Sequence, residues 1–167
     1  MKTEVSKKLE TVTNLAIIVV AIMLGFVLVQ KYFRGENPEK TPTEIVKGTK
    51  ISLSDVSWRQ NQKTLILVLQ KDCRFCSESM PFYKTLVEKS KVKGVQLIAV
   101  LPDSREEGVQ YLKENGVDIQ EIRQSRLDEI NVQGTPTLIL LNDKGEVENS
   151  WVGKLPSEKE TEVTENL

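Results

Sequence analysis

Two cysteines occur in 167 residues, and only two residues separate them, in Cys73-Arg74-Phe75-Cys76. An apolar run, Leu65 to Leu69, precedes the pair, and a helix-like pattern reaching about Lys89 follows it. Two thiols at this spacing, at the start of a helix after a strand, can close a small reversible disulfide. The unpaired N–H groups of a helix start favour the thiolate form. The plain alternative is a permanent bridge. So short a loop constrains the unfolded chain little, which makes a purely stabilising role poorly rewarded. Cys73, at the helix start, is expected to attack, and Cys76, one turn inward, to resolve the mixed disulfide.

Composition removes several other chemistries. There is no histidine, so Ser-His and Cys-His catalysis of the usual kind is excluded. Two cysteines without histidine cannot complete a four-ligand zinc site of the Cys/His type, and no metal site is expected. The net charge is -1, which offers no strong field for nucleic acid.

The chain divides by composition. Residues 1–10 form a short mixed-charge tail. Residues 11–30 carry no charged side chain, and Leu15 to Val29 is apolar throughout. At ~1.5 Å per residue this stretch reaches about 30 Å, enough for a transmembrane anchor. Tyr32, Phe33 and Arg34 suit the membrane–water interface. A cleaved signal peptide is the rival reading, but no A-x-A-like site follows. Lys2, Lys7 and Lys8 before the stretch balance Lys31, Arg34 and Lys40 after it, so charge does not set the orientation. Residues 31–47, with Pro38 and Pro42, read as a linker. Residues 48–155 form the folded domain, and 156–167 an acidic tail expected to frame a poorly anchored helix or to fray.

Within the domain, Ile51 to Leu53 alternates like a short strand, and Leu65 to Leu69 reads as a strand buried on both faces. Pro81 should interrupt and kink the helix after the cysteines. Val95 to Leu101 is a further strand. Ser104 offers an N-cap with Glu106 and Glu107 in the first turn, and Asn115-Gly116 ends that helix. Val117 to Ile122 suggests a short strand, and Ser125 to Ile130 a turn or two of helix. Thr137 to Leu141 is a buried strand. Asn142 to Gly145 signals a hairpin turn, with Val147 to Val152 returning antiparallel.

Three features together carry a resemblance: an apolar strand ending in Cys73-x-x-Cys76, Pro81 beyond it, and Gly134-Thr135-Pro136-Thr137 entering another apolar strand. This constellation resembles the thioredoxin superfamily. The lead-in ISLSDVSWRQNQKTLILVL and the ending NDKGEVENSWVG are similar to membrane-tethered TlpA/ResA-type redoxins. The resemblance covers about residues 48 to 153. It implies an α/β fold, a thioredoxin-like mixed sheet flanked by helices, preceded here by one N-terminal transmembrane helix. It implies Cys73 and Cys76 as the catalytic pair, with Pro136 a cis-proline beside them and Thr135 offering backbone groups to an extended substrate. The expected activity is thiol–disulfide exchange, with reduction favoured, on exported proteins such as apocytochromes. The disulfide itself would be the only redox group, fed by a membrane thiol donor.

The chain departs from the family pattern at Asp72, where tryptophan is usual, and at Arg74-Phe75, which lacks proline. Those residues are expected to modulate the pair. Glu78 lies nearby, and no acidic residue falls in the LILVLQ strand. A thiol peroxidase reading lacks its P-x-x-x-[TS]-x-x-C pattern. A copper-delivery module would use C-x-x-x-C and a distant histidine. A non-catalytic interaction domain is the remaining alternative.

Overall fold

The computed structural model describes residues 17–24, 26, 44–53, 56, 58 and 63–167. The expected tail, most of the expected anchor and the linker up to residue 43 lie outside the described residues. The chain forms two compact units, 1–41 and 42–167. In the first, residues 17–24 and 26 are helical. Their apolar side chains are uncovered, with Val20, Ile22, Met23, Leu24 and Phe26 each more than half exposed. Among the described residues no helix is long and apolar enough to cross a membrane.

The second unit is built on five strands: β1 (Thr64–Val68), β2 (Gln96–Leu101), β3 (Glu121–Gln124), β4 (Thr137–Leu141) and β5 (Val147–Val152). Their order is β3-β2-β1-β4-β5, with β1, β2 and β3 parallel and β4 and β5 antiparallel to their neighbours. Strands β1 and β4 are buried at every residue, as continuous apolar runs require of central strands. Helices α1 (Arg74–Glu78), α2 (Met80–Lys93), α3 (Arg105–Glu114) and α4 (Ser157–Asn166) connect or follow them.

Alternation along β1 separates two cores. Leu65 and Leu67 face Phe82, Tyr83 and Leu86 of α2, Leu112 of α3 and Val163 of α4. Ile66 and Val68 face the opposite cluster, where Ile51, Leu53, Ile130 and Val132 supply the cover. Helix α3 starts as its sequence specifies. Ser104 Oγ accepts the Glu107 N–H, and the Glu107 carboxylate accepts the Ser104 N–H, a complete capping box.

Several details differ from the sequence expectation. Ile51 to Leu53 is not a strand. Lys50 makes one isolated bridge with Glu146, and Ile51 donates to the Gly145 carbonyl at 2.9 Å. Hydrogen bonding to the domain begins earlier, inside the expected linker, where Ile45 N–H donates to Ser150 Oγ at 2.8 Å. The short strand after α3 is Glu121–Gln124, displaced from Val117 to Ile122 because Val117 and Ile119 are used to cover the core.

The acidic terminus is a docked helix. Val163 is fully buried, Trp151 Nε1–H donates to Glu162, and Lys93 Nζ donates to the Thr164 and Glu165 carbonyls. One buried valine and cations from distant segments anchor a helix whose own sequence looks unanchored. Lysine at a helix C-terminus also answers its exposed carbonyls and negative dipole end.

Candidate active site

The active-site segment starts where β1 runs out. Leu69 N–H still bonds the Val100 carbonyl at 2.9 Å, Lys71 and Asp72 form a turn, and Cys73 is the N-cap of α1. Cys73 and Cys76 are joined as a disulfide with a Cα–Cα separation of 5.2 Å. The Cys76 N–H donates to Cys73 Sγ at 3.2 Å. Cys73 is half-buried and Cys76 fully buried, so an outside sulfur meets Cys73 first.

The helix that Cys73 caps is short. Helix α1 ends at Glu78, Ser79 forms a joint, and α2 begins at Met80. Pro81 lies in the first turn of α2, where a missing N–H is harmless. It therefore divides one expected kinked helix into two. The joint is closed by the buried Ser79, whose Oγ donates to the Phe75 carbonyl at 2.8 Å. A five-residue helix has little macrodipole, so the direct Cys76 N–H is the main helix contribution at the sulfur.

The segment before β4 closes the other side. The Thr135–Pro136 peptide is cis. The Thr135 carbonyl oxygen is 3.3 Å from Cys73 Sγ, within reach of a thiol proton when the pair is reduced. The Pro136 carbonyl accepts the Gly153 N–H at 2.7 Å. The sequence-predicted residues Cys73, Cys76, Thr135 and Pro136 thus converge although Cys73 and Thr135 are 62 positions apart in the chain.

The modulating charges are arranged less simply than their sequence neighbours suggest. Arg74 does not stand free beside the thiol. Its Nε donates to Glu78 Oε1 at 2.6 Å, and Lys154 Nζ donates to the other oxygen at 2.8 Å. Lys154 first and Arg74 second hold the Glu78 carboxyl below its ordinary range. Lys71 is taken by Glu107 at the start of α3, 3.0 Å away, and its ammonium is held above its usual range by that partner. Both cations flanking the motif are therefore ion-paired, Lys71 with Glu107 and Arg74 with a Glu78 it shares with Lys154. Asp72 is exposed, and Phe75 is 53% exposed, an uncovered aromatic next to the reactive sulfur.

Glu78 gives a pH test. Its pKa is depressed on folding, so the pairing contributes stability above the ordinary value of 4.5 and loses it as pH falls through the depressed value. Glu78→Gln is expected to melt below the parent near about pH 7, with the gap closing as pH falls through the depressed Glu78 value. A melting difference that ignores pH would remove this ion-pair role.

Gln70 and Lys154 were not singled out from sequence. Each acts through a long-range polar contact, Gln70 with Thr135 and Lys154 with Glu78, and neither leaves a periodic signal.

A half-exposed sulfur, a buried partner sulfur and a cis-proline loop facing them, on this sheet order, define a dithiol exchange protein of the thioredoxin fold. Residues 36–167 match the Redoxin family, and the chain belongs to that family. It is a thiol–disulfide oxidoreductase by class. Sporulation thiol-disulfide oxidoreductase A of Bacillus subtilis (strain 168) is 25% identical over 127 residues, covering 72% of this chain and 74% of that protein. Two solved structures share the fold. The thioredoxin domain of a thiol-disulfide oxidoreductase from Bacteroides vulgatus superposes with a TM-score of 0.57 at 16% identity, covering 73% of this chain and 97% of the other. StoA from Bacillus subtilis gives 0.52 at 21% identity, covering 74% and 96%.

Proposed function

We propose that this chain is a membrane-anchored disulfide reductase whose redox domain lies outside the cytoplasm and acts on exported proteins, including apocytochromes awaiting haem. The observation that carries the reading is the Cys73 sulfur, half-buried at the N-cap of α1 and 3.3 Å from the Thr135 carbonyl. In the reduced protein the Cys73 thiolate attacks one sulfur of a substrate disulfide. A Cys73–substrate disulfide forms and the other substrate thiolate leaves. The Cys76 thiolate then attacks Cys73 Sγ, closing the internal disulfide and releasing the second substrate thiolate. Two electrons pass to the substrate, and a dithiol donor at the membrane restores the pair. An extended substrate segment would lie along Thr135 and Pro136, and Phe75 would contact its apolar side chains. No cofactor besides the disulfide enters this scheme.

Reduction is the direction the family resemblance favours, and the charges around the pair are compatible with it. Stabilising a thiolate stabilises the reduced pair and makes its disulfide a stronger oxidant. Here Arg74 and Lys71 are occupied by Glu78 and Glu107, and Asp72 adjoins Cys73. Paired in this way, Arg74 and Lys71 lend Cys73 less positive charge than free cations would, which supports the reducing direction. The uncharged stretch 11–30, and the uncovered apolar helix over 17–24, support the anchor.

Labelling intact cells with a membrane-impermeant maleimide, across graded dithiol buffers, reads side and potential together. The expected result is labelling of Cys73 from outside, with a midpoint near or below about −250 mV. A midpoint near about −120 mV would identify a disulfide donor instead. Labelling only after lysis would place the domain inside.

A further inference from the structure

We propose that Gln70 is a positioning residue for polypeptide substrates, holding Thr135 in register with the attacking sulfur. This rests on the reading that Cys73 attacks and that Thr135 receives the substrate backbone. Gln70 stands between the end of β1 and the redox turn, and both of its carbonyl groups are used. Its backbone carbonyl accepts the Cys73 N–H at 3.3 Å, and its side-chain carbonyl accepts the Thr135 hydroxyl at 3.0 Å. The Thr135 carbonyl in turn lies 3.3 Å from Cys73 Sγ. Three residues from two remote segments close one ring.

The ring fixes what Thr135 can offer. Its hydroxyl is held by Gln70, and its carbonyl is directed at the sulfur. Its own N–H has no partner among the described residues and is left for an incoming carbonyl. Gln70 and Thr135 are both half-buried, so water competes weakly for the bond between them. Without the Gln70 acceptor, the Thr135 peptide can turn away from the line a substrate strand must follow. A small disulfide with no peptide groups needs only the sulfur, and loses less.

The test uses the full chain with two substrates, a disulfide-bonded peptide and hydroxyethyl disulfide. Gln70→Ala is expected to raise KM for the peptide roughly three- to tenfold, the range one hydrogen bond supplies, with kcat little changed. The loss on hydroxyethyl disulfide should be clearly smaller. Gln70→Glu, which keeps the acceptor, should recover most of the peptide KM. Thr135→Val should lose as much as Gln70→Ala, and the double variant no more than either. Equal losses on the two disulfides, additive losses in the double variant, or an unchanged peptide KM would each overturn the proposal. An active parent with an insensitive Gln70→Ala overturns this inference alone. A parent inert toward both disulfides overturns the exchange reading as well.

Discussion

Cys73→Ser is expected to reduce disulfide exchange to background, a loss on the order of a thousandfold or more, as when a covalent nucleophile is removed. A serine hydroxyl is not ionised near neutral pH and does not replace a thiolate in attack on sulfur. Cys76→Ser should behave differently. Its Cys73 is still half-exposed, still 3.3 Å from the Thr135 carbonyl, and attacks as before. Nothing then resolves the mixed disulfide, so the substrate stays attached. Non-reducing gels followed by mass spectrometry of the adduct would separate the two variants. Trapping by Cys73→Ser rather than Cys76→Ser would exchange the roles assigned to the two sulfurs. Trapping by neither would leave a structural bridge.

The largest stability loss is expected at the centre of the sheet. Ile66 in β1 pairs with Ile98 of β2 and Ile139 of β4, and all three are fully buried. Ile66→Ala leaves a cavity on the face covered by Ile51, Ile130 and Val147. The cost should be about 2–5 kcal/mol. That is a large part of the roughly 5–15 kcal/mol that holds such a domain together. Thermal melting of the oxidised protein should show a fall of roughly 10 °C or more. Phe75→Ala, at a 53% exposed position, should move the melt little. Equal losses at the two positions would contradict the assigned packing.

Much of this was legible in the residue order. Strands β1, β2 and β4 are continuous apolar runs because both faces are covered, and such runs declare themselves. The Ser104 cap and the Asn142 to Gly145 turn are local chemistry, readable within a few residues. Gly145 adopts a φ of +76, and a Cβ there would collide with the Trp58 ring, so the turn admits little else. The site was legible because its parts have distinctive types: two cysteines and one proline entering a strand.

What escaped was decided by partners far along the chain. Helix α4 shows one buried apolar residue, Val163, and its remaining support comes from Trp151, Lys93 and Lys63. Glu78 could face any direction until Lys154 was placed against it. Gln70 looked like an ordinary residue after a strand, since nothing local reveals Thr135. The division at Ser79 needed the geometry of two helices, where the sequence shows one proline.

The stitching of residues 45–51 along β5 has a mechanical consequence. Ile45, Gly48, Thr49 and Ile51 bond to Ser150, Val147 and Gly145, at an outer edge of the sheet. If the upstream segment is fixed in a lipid bilayer, tension on the domain is taken up by these bonds. They would take up that load before β1 does, because they lie between the upstream segment and β1 in the chain.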